Sequence, residues 1–148
     1  MALKTARVRW RCEEGSELIE FALVAPVLIL LLAGIFDFGM MFRSFEAVTN
    51  AAREGARVGV LPGYANADVQ TRVNDYLTVS GLAGPRTINV TAVPQATGAG
   101  TFTARAVEVN YSYQFVILGP IGSAFGGSFG TIPLRAVSVM RTEAPAAP

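Results

Sequence analysis

Hydrophobic and polar residues are distributed unevenly along the chain, and the longest apolar run lies near the N-terminus. Residues 21–36 contain no charged or strongly polar side chain, and Asp37 is the only charged residue before Arg43. A helix over residues 21–42 would be about 33 Å long, enough to cross a hydrocarbon core of about 30 Å. The pattern therefore predicts one membrane-spanning helix, with Asp37 near its outer interface, where a carboxylate is tolerable.

The helical pattern continues beyond this span. Apolar residues recur there at three- and four-residue steps, which is the spacing of one helix face, and Pro62 marks the end of the pattern. Small residues recur every four positions, and such a face lets another helix or a sheet approach closely. We expect it to pack against the head of the same protein; packing between subunits is the alternative. The small residues are Ala51, Ala52, Gly55, Ala56 and Gly59.

One amphipathic helix and three strands are predicted in the remainder of the chain. Residues 68–82 carry apolar side chains on one helix face. Residues 87–93 and 103–115 alternate apolar and polar side chains, and residues 132–141 form a more uniformly apolar strand. A helix covering one face of a three-stranded antiparallel sheet would bury these side chains, so the fold class is predicted to be α+β.

A glycine-rich segment separates the last two strands. Residues 119–130 contain five glycines together with Phe125 and Phe129, so a long flexible loop is predicted here. Exposed aromatic residues on a loop are candidates for partner binding. The alternative, which the sequence leaves open, is that both phenylalanines tuck under the sheet. Residues 144–148 are rich in alanine and proline and are predicted to be a disordered tail.

The charge distribution indicates an orientation in the membrane. Lys4, Arg7, Arg9 and Arg11 precede the span, whereas Arg43 is the only basic residue among the first ten after it. The positive-inside rule therefore keeps the N-terminus in the cytoplasm and places the head outside. Beyond residue 15 the chain has eight basic and nine acidic residues, which argues against a nucleic-acid partner.

The composition also argues against catalysis. The chain has no histidine, which removes the commonest general base and the commonest metal ligand. Its single cysteine, Cys12, precludes an intramolecular disulfide. No pair of carboxylates has a recognisable catalytic spacing. We therefore expect no enzymatic activity, no metal and no cofactor, and head stability must come from packing.

A short motif stands just before the span. Gly15 and Ser16 are followed by Glu20 and Phe21, which begin the apolar segment. Glycine lacks a Cβ, so the backbone beside Gly15 can adopt an extended or unusual conformation. A carboxylate at the apolar threshold is costly unless it is paired with a positive group. The simpler alternative is that Glu20 only marks the start of the span and reaches the lipid headgroups.

This motif resembles the processing site of type IV prepilins, and residues 15–57 resemble the TadE-like family of Tad (Flp) pilus-assembly pseudopilins. The resemblance rests on the motif, on the apolar run through residue 35, on residues 37–39 and on the run at residues 49–57. It implies that a membrane prepilin peptidase cuts after Gly15 and that Glu20 pairs with the Ser16 amine of a neighbouring subunit. Glu17 departs from the pattern, because a second carboxylate is less expected there.

The resemblance also implies a domain organisation and a function. Residues 1–15 would be the leader, 16–60 the transmembrane and extended helix, and 64–143 the extracytoplasmic head. The expected function is that of a minor pilin or pseudopilin in the bacterial inner membrane or in a surface pilus, since the head is larger than that of a major Tad pilin. Expected partners are the prepilin peptidase, other pilin or pseudopilin subunits, the inner-membrane assembly platform and the lipid bilayer. The alternative is an uncleaved single-pass envelope protein whose outer head binds another protein or a glycan.

Overall fold

The computed structural model describes residues 13–97, 100–127 and 130–142. The leader up to residue 12, Phe129 and the predicted tail lie outside the described residues. The elements follow in the order α1 (Glu13–Gly59), α2 (Asn66–Val79), β1 (Arg86–Thr97), β2 (Gly100–Tyr113), α3 (Leu118–Ala124) and β3 (Ile132–Arg141). The strands form one antiparallel sheet in the order β1-β2-β3, with β2 in the centre. A long apolar helix followed by a helix packed on a three-stranded sheet confirms the predicted α+β class.

Helix α1 has two parts with different surroundings. It contains 47 residues, about 70 Å of helix, and it continues without interruption through Pro26. Its C-terminal part is covered by α2 and by the sheet, and Val48 there is fully buried. Its N-terminal part carries large apolar side chains that remain exposed. The helix is therefore both the central element of the head and a rod that extends out of it.

The small side chains of α1 allow the head to approach the helix closely. Ala51 and Ala56 are fully buried in the core. A Cβ built on Gly55 would lie 2.5 Å from Val73 Cγ2 of α2 and 3.1 Å from Val107 Cγ1 of β2. The prediction that this face packs against the head of the same chain is confirmed.

The sheet follows the predicted alternation, with longer strands than predicted at the first hairpin. β3 has the predicted bounds, whereas β1 and β2 pair as far as Thr97 and Gly100. Pro94 lies within β1, although proline cannot donate a hydrogen bond to a neighbouring strand. β1 is an edge strand, so the missing N–H group is tolerated there.

The ends of α2 differ from the prediction because local side chains set them. Helix α2 begins at Asn66, two residues before the predicted start, since the Asp68 carboxylate accepts a hydrogen bond from the Ala65 N–H at 2.9 Å. It ends at Val79 rather than at the predicted residue 82. Gly81, just beyond the helix, has a positive φ of 82°, which is typical of a helix end.

The glycine-rich segment is not entirely a loop. Residues 118–124 form α3, so the prediction of a continuous flexible loop over residues 119–130 is wrong for its first half. The helix ends at a glycine turn, in which Gly126 has φ 74° and the Gly127 N–H donates to the Gly122 carbonyl at 2.9 Å. The other end of α3 is stabilised by a side chain of α1.

An ion-pair cluster joins α1 to α2 on the head surface. Glu54 accepts hydrogen bonds from Arg57 at 2.8 and 2.9 Å and from Arg72 at 3.1 and 3.2 Å. The hydrogen bonds from Arg57, opposed in part by burial and reinforced by Arg72, lower the pKa of Glu54 from 4.5 to about 2. The charged form of Glu54 therefore stabilises the folded head.

The contribution of Glu54 is expected to depend on pH. Its folded pKa lies below its unfolded value, so the stabilisation is complete above pH 4.5 and is lost as the pH falls towards about 2. Because both arginines are more than half exposed, we expect Glu54→Gln to lower the free energy of unfolding at pH 7 by only about 1 kcal/mol. Urea unfolding of both proteins should show this difference disappearing as the pH approaches 2. The exposed Glu46→Gln is the control, and a difference that does not change with pH would contradict the prediction.

Candidate membrane and assembly surface of the N-terminal helix

The N-terminal part of α1 presents an apolar surface. Among the described residues, α1 is the one helix long and apolar enough to cross a membrane. Its most apolar stretch has a mean hydropathy of 2.6, and 6% of that stretch is buried within the protein. A helix this apolar with so little covered surface is unlike the core helix of a water-soluble domain. The large apolar side chains of this part are Leu18, Ile19, Phe21, Leu23, Val24, Val27, Leu28, Ile29, Leu30, Leu31, Leu32, Ile35, Phe36, Phe38 and Phe42, all 47–75% exposed.

The sequence motif lies at the beginning of this surface. Gly15, Ser16, Glu20 and Phe21 all belong to α1 and are all exposed. Ser16 and Glu20 are four residues apart and therefore share one face of the helix. Glu20 makes no salt bridge within the described part of the chain. The motif residues thus remain accessible to another molecule.

Asp37 is buried by the protein itself, which the sequence did not predict. Its side chain is 0% exposed and accepts hydrogen bonds from three backbone N–H groups just before and at the start of α3. The distances are 3.2 Å from Val116, 3.0 and 3.1 Å from Ile117, and 2.7 Å from Leu118. A carboxylate that accepts several N–H groups compensates for its own desolvation and caps the short helix.

Tyr113 completes this junction between α1 and the sheet. Its hydroxyl donates to the backbone carbonyl of Asp37 at 3.2 Å. Burial raises the pKa of Tyr113, and the charges of Asp37 and Tyr111 raise it further, so the phenol remains protonated as a donor. Phe115 contacts the rings of Phe38 and Tyr113 edge-on, at centroid distances of 5.9 and 5.8 Å. The junction is therefore both hydrogen-bonded and packed.

A shallow apolar groove runs along α1 from Leu31 to Phe42, and Asp37 lies about midway along this stretch of the helix. Gly34 and Gly39 leave it open, because a Cβ built on either glycine would meet no atom within 4 Å. Glycines that leave part of a helix surface open allow a second helix to approach closely in a membrane. Its lining consists of Leu31, Gly34, Ile35, Phe38, Gly39 and Phe42.

Of the two candidate loop aromatics, the structure describes Phe125. Phe125 follows α3 directly and is 88% exposed, so the alternative that both phenylalanines tuck under the sheet is wrong for Phe125. Phe129 lies outside the described residues. Sequence reasoning missed the link between Asp37 and α3, although a lone carboxylate within an apolar run was a signal that a partner had to exist.

Comparison with known proteins identifies one related family. Residues 15–57, nearly the whole of α1, match the family model described as TadE-like protein. The match confirms the resemblance drawn from the same residues. Neither the curated proteins nor the solved structures include a match to this chain.

Proposed function

We propose that this TadE-like, Tad pilus-related protein acts in pilus assembly as a minor pilin or pseudopilin of the Tad (Flp) type and has no catalytic role. The observation that carries the proposal is the construction of α1. One continuous helix bears the family match, presents an exposed apolar surface with Glu20 at its threshold, and carries a folded head at its other end. A subunit that inserts in a bilayer and then packs against other helices needs these features.

The proposed location is the inner membrane, with the N-terminus in the cytoplasm and the head outside. Four basic residues before the span support this orientation. The bilayer and the assembly platform in it would be the first partners of the helix. Other pilin or pseudopilin subunits would follow, and the groove at Gly34 and Gly39 is a suitable contact for their helices.

Processing by a prepilin peptidase is the first step of this proposal. The bond between Gly15 and Ser16 lies in the first turn of α1, where the N–H groups lack intrahelical acceptors. A terminal turn frays easily, and glycine lowers the cost of the extended conformation that a protease cleft binds. The cut would leave Ser16 with a free amine.

N-terminal sequencing of the protein extracted from membranes tests the processing step. We expect Ser16 as the first residue when the prepilin peptidase is present and an intact leader when it is absent. An intact leader under both conditions would overturn processing. It would favour the permanently anchored envelope protein whose head binds another protein or a glycan.

Assembly should depend on Glu20. We expect Glu20→Ala to reduce recovery of the subunit with its partners by roughly tenfold, about 1.4 kcal/mol, because the Ser16 amine of a neighbour would lose its counter-charge. Quantitative cross-linking in membranes measures this loss, with N-terminal sequencing to verify that the leader is still cut. Glu17→Ala, which removes an exposed carboxylate less than one turn away, is the matched control. Equal recovery of both variants would contradict the proposed pairing.

A further inference from the structure

The segment that leads into and includes α3 lies beside the apolar part of α1. The hydrogen bonds from residues 116–118 fix its start at the level of Asp37. Ala33, one turn nearer the N-terminus, is 7% exposed, whereas Leu32 and Ile35 beside it are 63% and 64% exposed. One face of α1 is therefore covered by the head as far as Ala33, one turn before Asp37, whereas the side chains beside this face are exposed.

The positions of the exposed charges set the depth of this contact. Glu20 and Arg43 are exposed, and Asp37, the only charged residue between them, is fully buried. The helix between the two exposed charges is about 33 Å long, close to the thickness of a hydrocarbon core of about 30 Å. Asp37 lies about 9 Å before Arg43 along the helix axis, within this layer. The segment bonded to Asp37 therefore lies at the same depth.

The composition of the segment fits an apolar medium. No charged residue occurs from residue 109 to residue 134. Val116 is 58% exposed and Phe125 is 88% exposed, although both side chains are apolar. Irregular backbone is tolerated at this depth only when its polar groups have partners within the protein. Asp37 supplies those partners for three N–H groups, and the Ile121 N–H donates to the Ile117 carbonyl at 3.3 Å.

We propose that residues 115–125 form a wedge embedded in the leaflet nearer the head, with lipid acyl chains covering Val116 and Phe125. The inference rests on the membrane span of the proposed function. A lipid occupant follows from the continuity of this surface with the exposed part of α1 and from its depth between Glu20 and Arg43. The head then contacts the acyl chains of the bilayer directly, through α3.

Tryptophan scanning of the full-length chain in lipid vesicles tests the wedge. Trp10 is first replaced by phenylalanine, which leaves no other tryptophan in the chain. Single tryptophans are then introduced as Phe125→Trp in the wedge, Leu28→Trp in the span and Val139→Trp on the sheet. Val139 is 51% exposed and pairs with Ala106 of β2. The neighbouring Arg105 lies beside Gly59, at the end of α1 away from the membrane span: the Arg105 Cβ is 3.8 Å from a Cβ built on Gly59. Val139 is therefore an apolar control remote from the bilayer.

We expect the Phe125→Trp emission to be shifted to shorter wavelength and quenched by lipids brominated near the headgroup end of the acyl chain. Leu28→Trp should be quenched most by bromine deeper in the chain, and Val139→Trp should show water-like emission without quenching. Water-like emission from Phe125→Trp while Leu28→Trp is quenched would overturn the wedge and leave the anchor intact. A shift of Phe125→Trp that depends on protein density but not on brominated lipid would show that a second copy covers the segment, and would also overturn it. Loss of quenching at Leu28→Trp would overturn both the span and the wedge.

Discussion

Replacing Asp37 by alanine is expected to lower the free energy of unfolding of the head by about 3 kcal/mol. The carboxylate is fully buried and accepts hydrogen bonds from the N–H groups of Val116, Ile117 and Leu118. Each buried donor left without an acceptor costs about 1–3 kcal/mol, and part of this cost is relieved if the segment separates from α1. Urea unfolding in detergent measures the total. Hydrogen exchange of residues 116–124 should show the loss of protection at the same site.

Two further variants separate the cap from a general effect of the substitution. Asp37→Asn retains one acceptor oxygen, so its free energy of unfolding should lie between that of the wild type and that of Asp37→Ala. Asp75→Ala removes an exposed aspartate from α2 and should change stability by less than about 0.5 kcal/mol. An Asp37→Ala protein with wild-type stability and unchanged exchange at residues 116–118 would contradict the proposed role of this carboxylate.

Introducing leucine at Gly55 is expected to destabilise the head by about 3 kcal/mol and to separate α2 and β2 from α1. Even the first carbon of a side chain there would lie 2.5 Å from Val73 Cγ2, and both Val73 and Val107 are fully buried. Both valines belong to the hydrophobic core, and a closely packed core absorbs added volume only by strain. Chemical unfolding, followed by circular dichroism of the head, measures the effect.

Alanine substitutions at two glycines of α1 provide a matched comparison. Gly55→Ala introduces the short contact and should be destabilising, although alanine favours a helix by up to about 1 kcal/mol over glycine. A Cβ at Gly59, one turn later, would meet Val69 Cγ2 at an ordinary distance of 3.5 Å. Gly59→Ala should therefore be neutral or slightly stabilising. Equal effects of the two alanines would show that close packing at Gly55 is not limiting.

The fold could be predicted from sequence where a local periodicity dominates. The apolar run and its amphipathic continuation predicted α1, and the small-residue repeat predicted that this helix packs against its own head. The third strand was predicted with its observed bounds because its residues form an apolar run. Pro133 is the only strand breaker in this run, and it is tolerated because β3 is an edge strand. The end of the first hairpin was missed, since Pro94 lowers the strand signal while the ladder with β2 continues around it.

The junction at Asp37 could not be predicted from local pattern. The acceptors lie in α1 and the donors lie about eighty residues later, in a segment whose glycines and proline predict a loop. A long-range cap outweighs this low helix propensity, because it satisfies N–H groups that a short helix leaves free. The exposed position of Phe125 follows from the end of α3 and was likewise invisible in the sequence. The roles of Gly15, Ser16 and Glu20 stay predictions, since they concern other molecules.

The head is fastened to α1 at two levels, one at Asp37 and the other at Gly55, about 27 Å apart along the helix axis. A body attached to a rod at two separated points cannot swivel about a single hinge. If α1 packs in a filament as proposed, any rotation of the helix about its long axis turns the outer face of the sheet through the same angle. The azimuth at which the helices pack would then dictate which side of each head faces its surroundings.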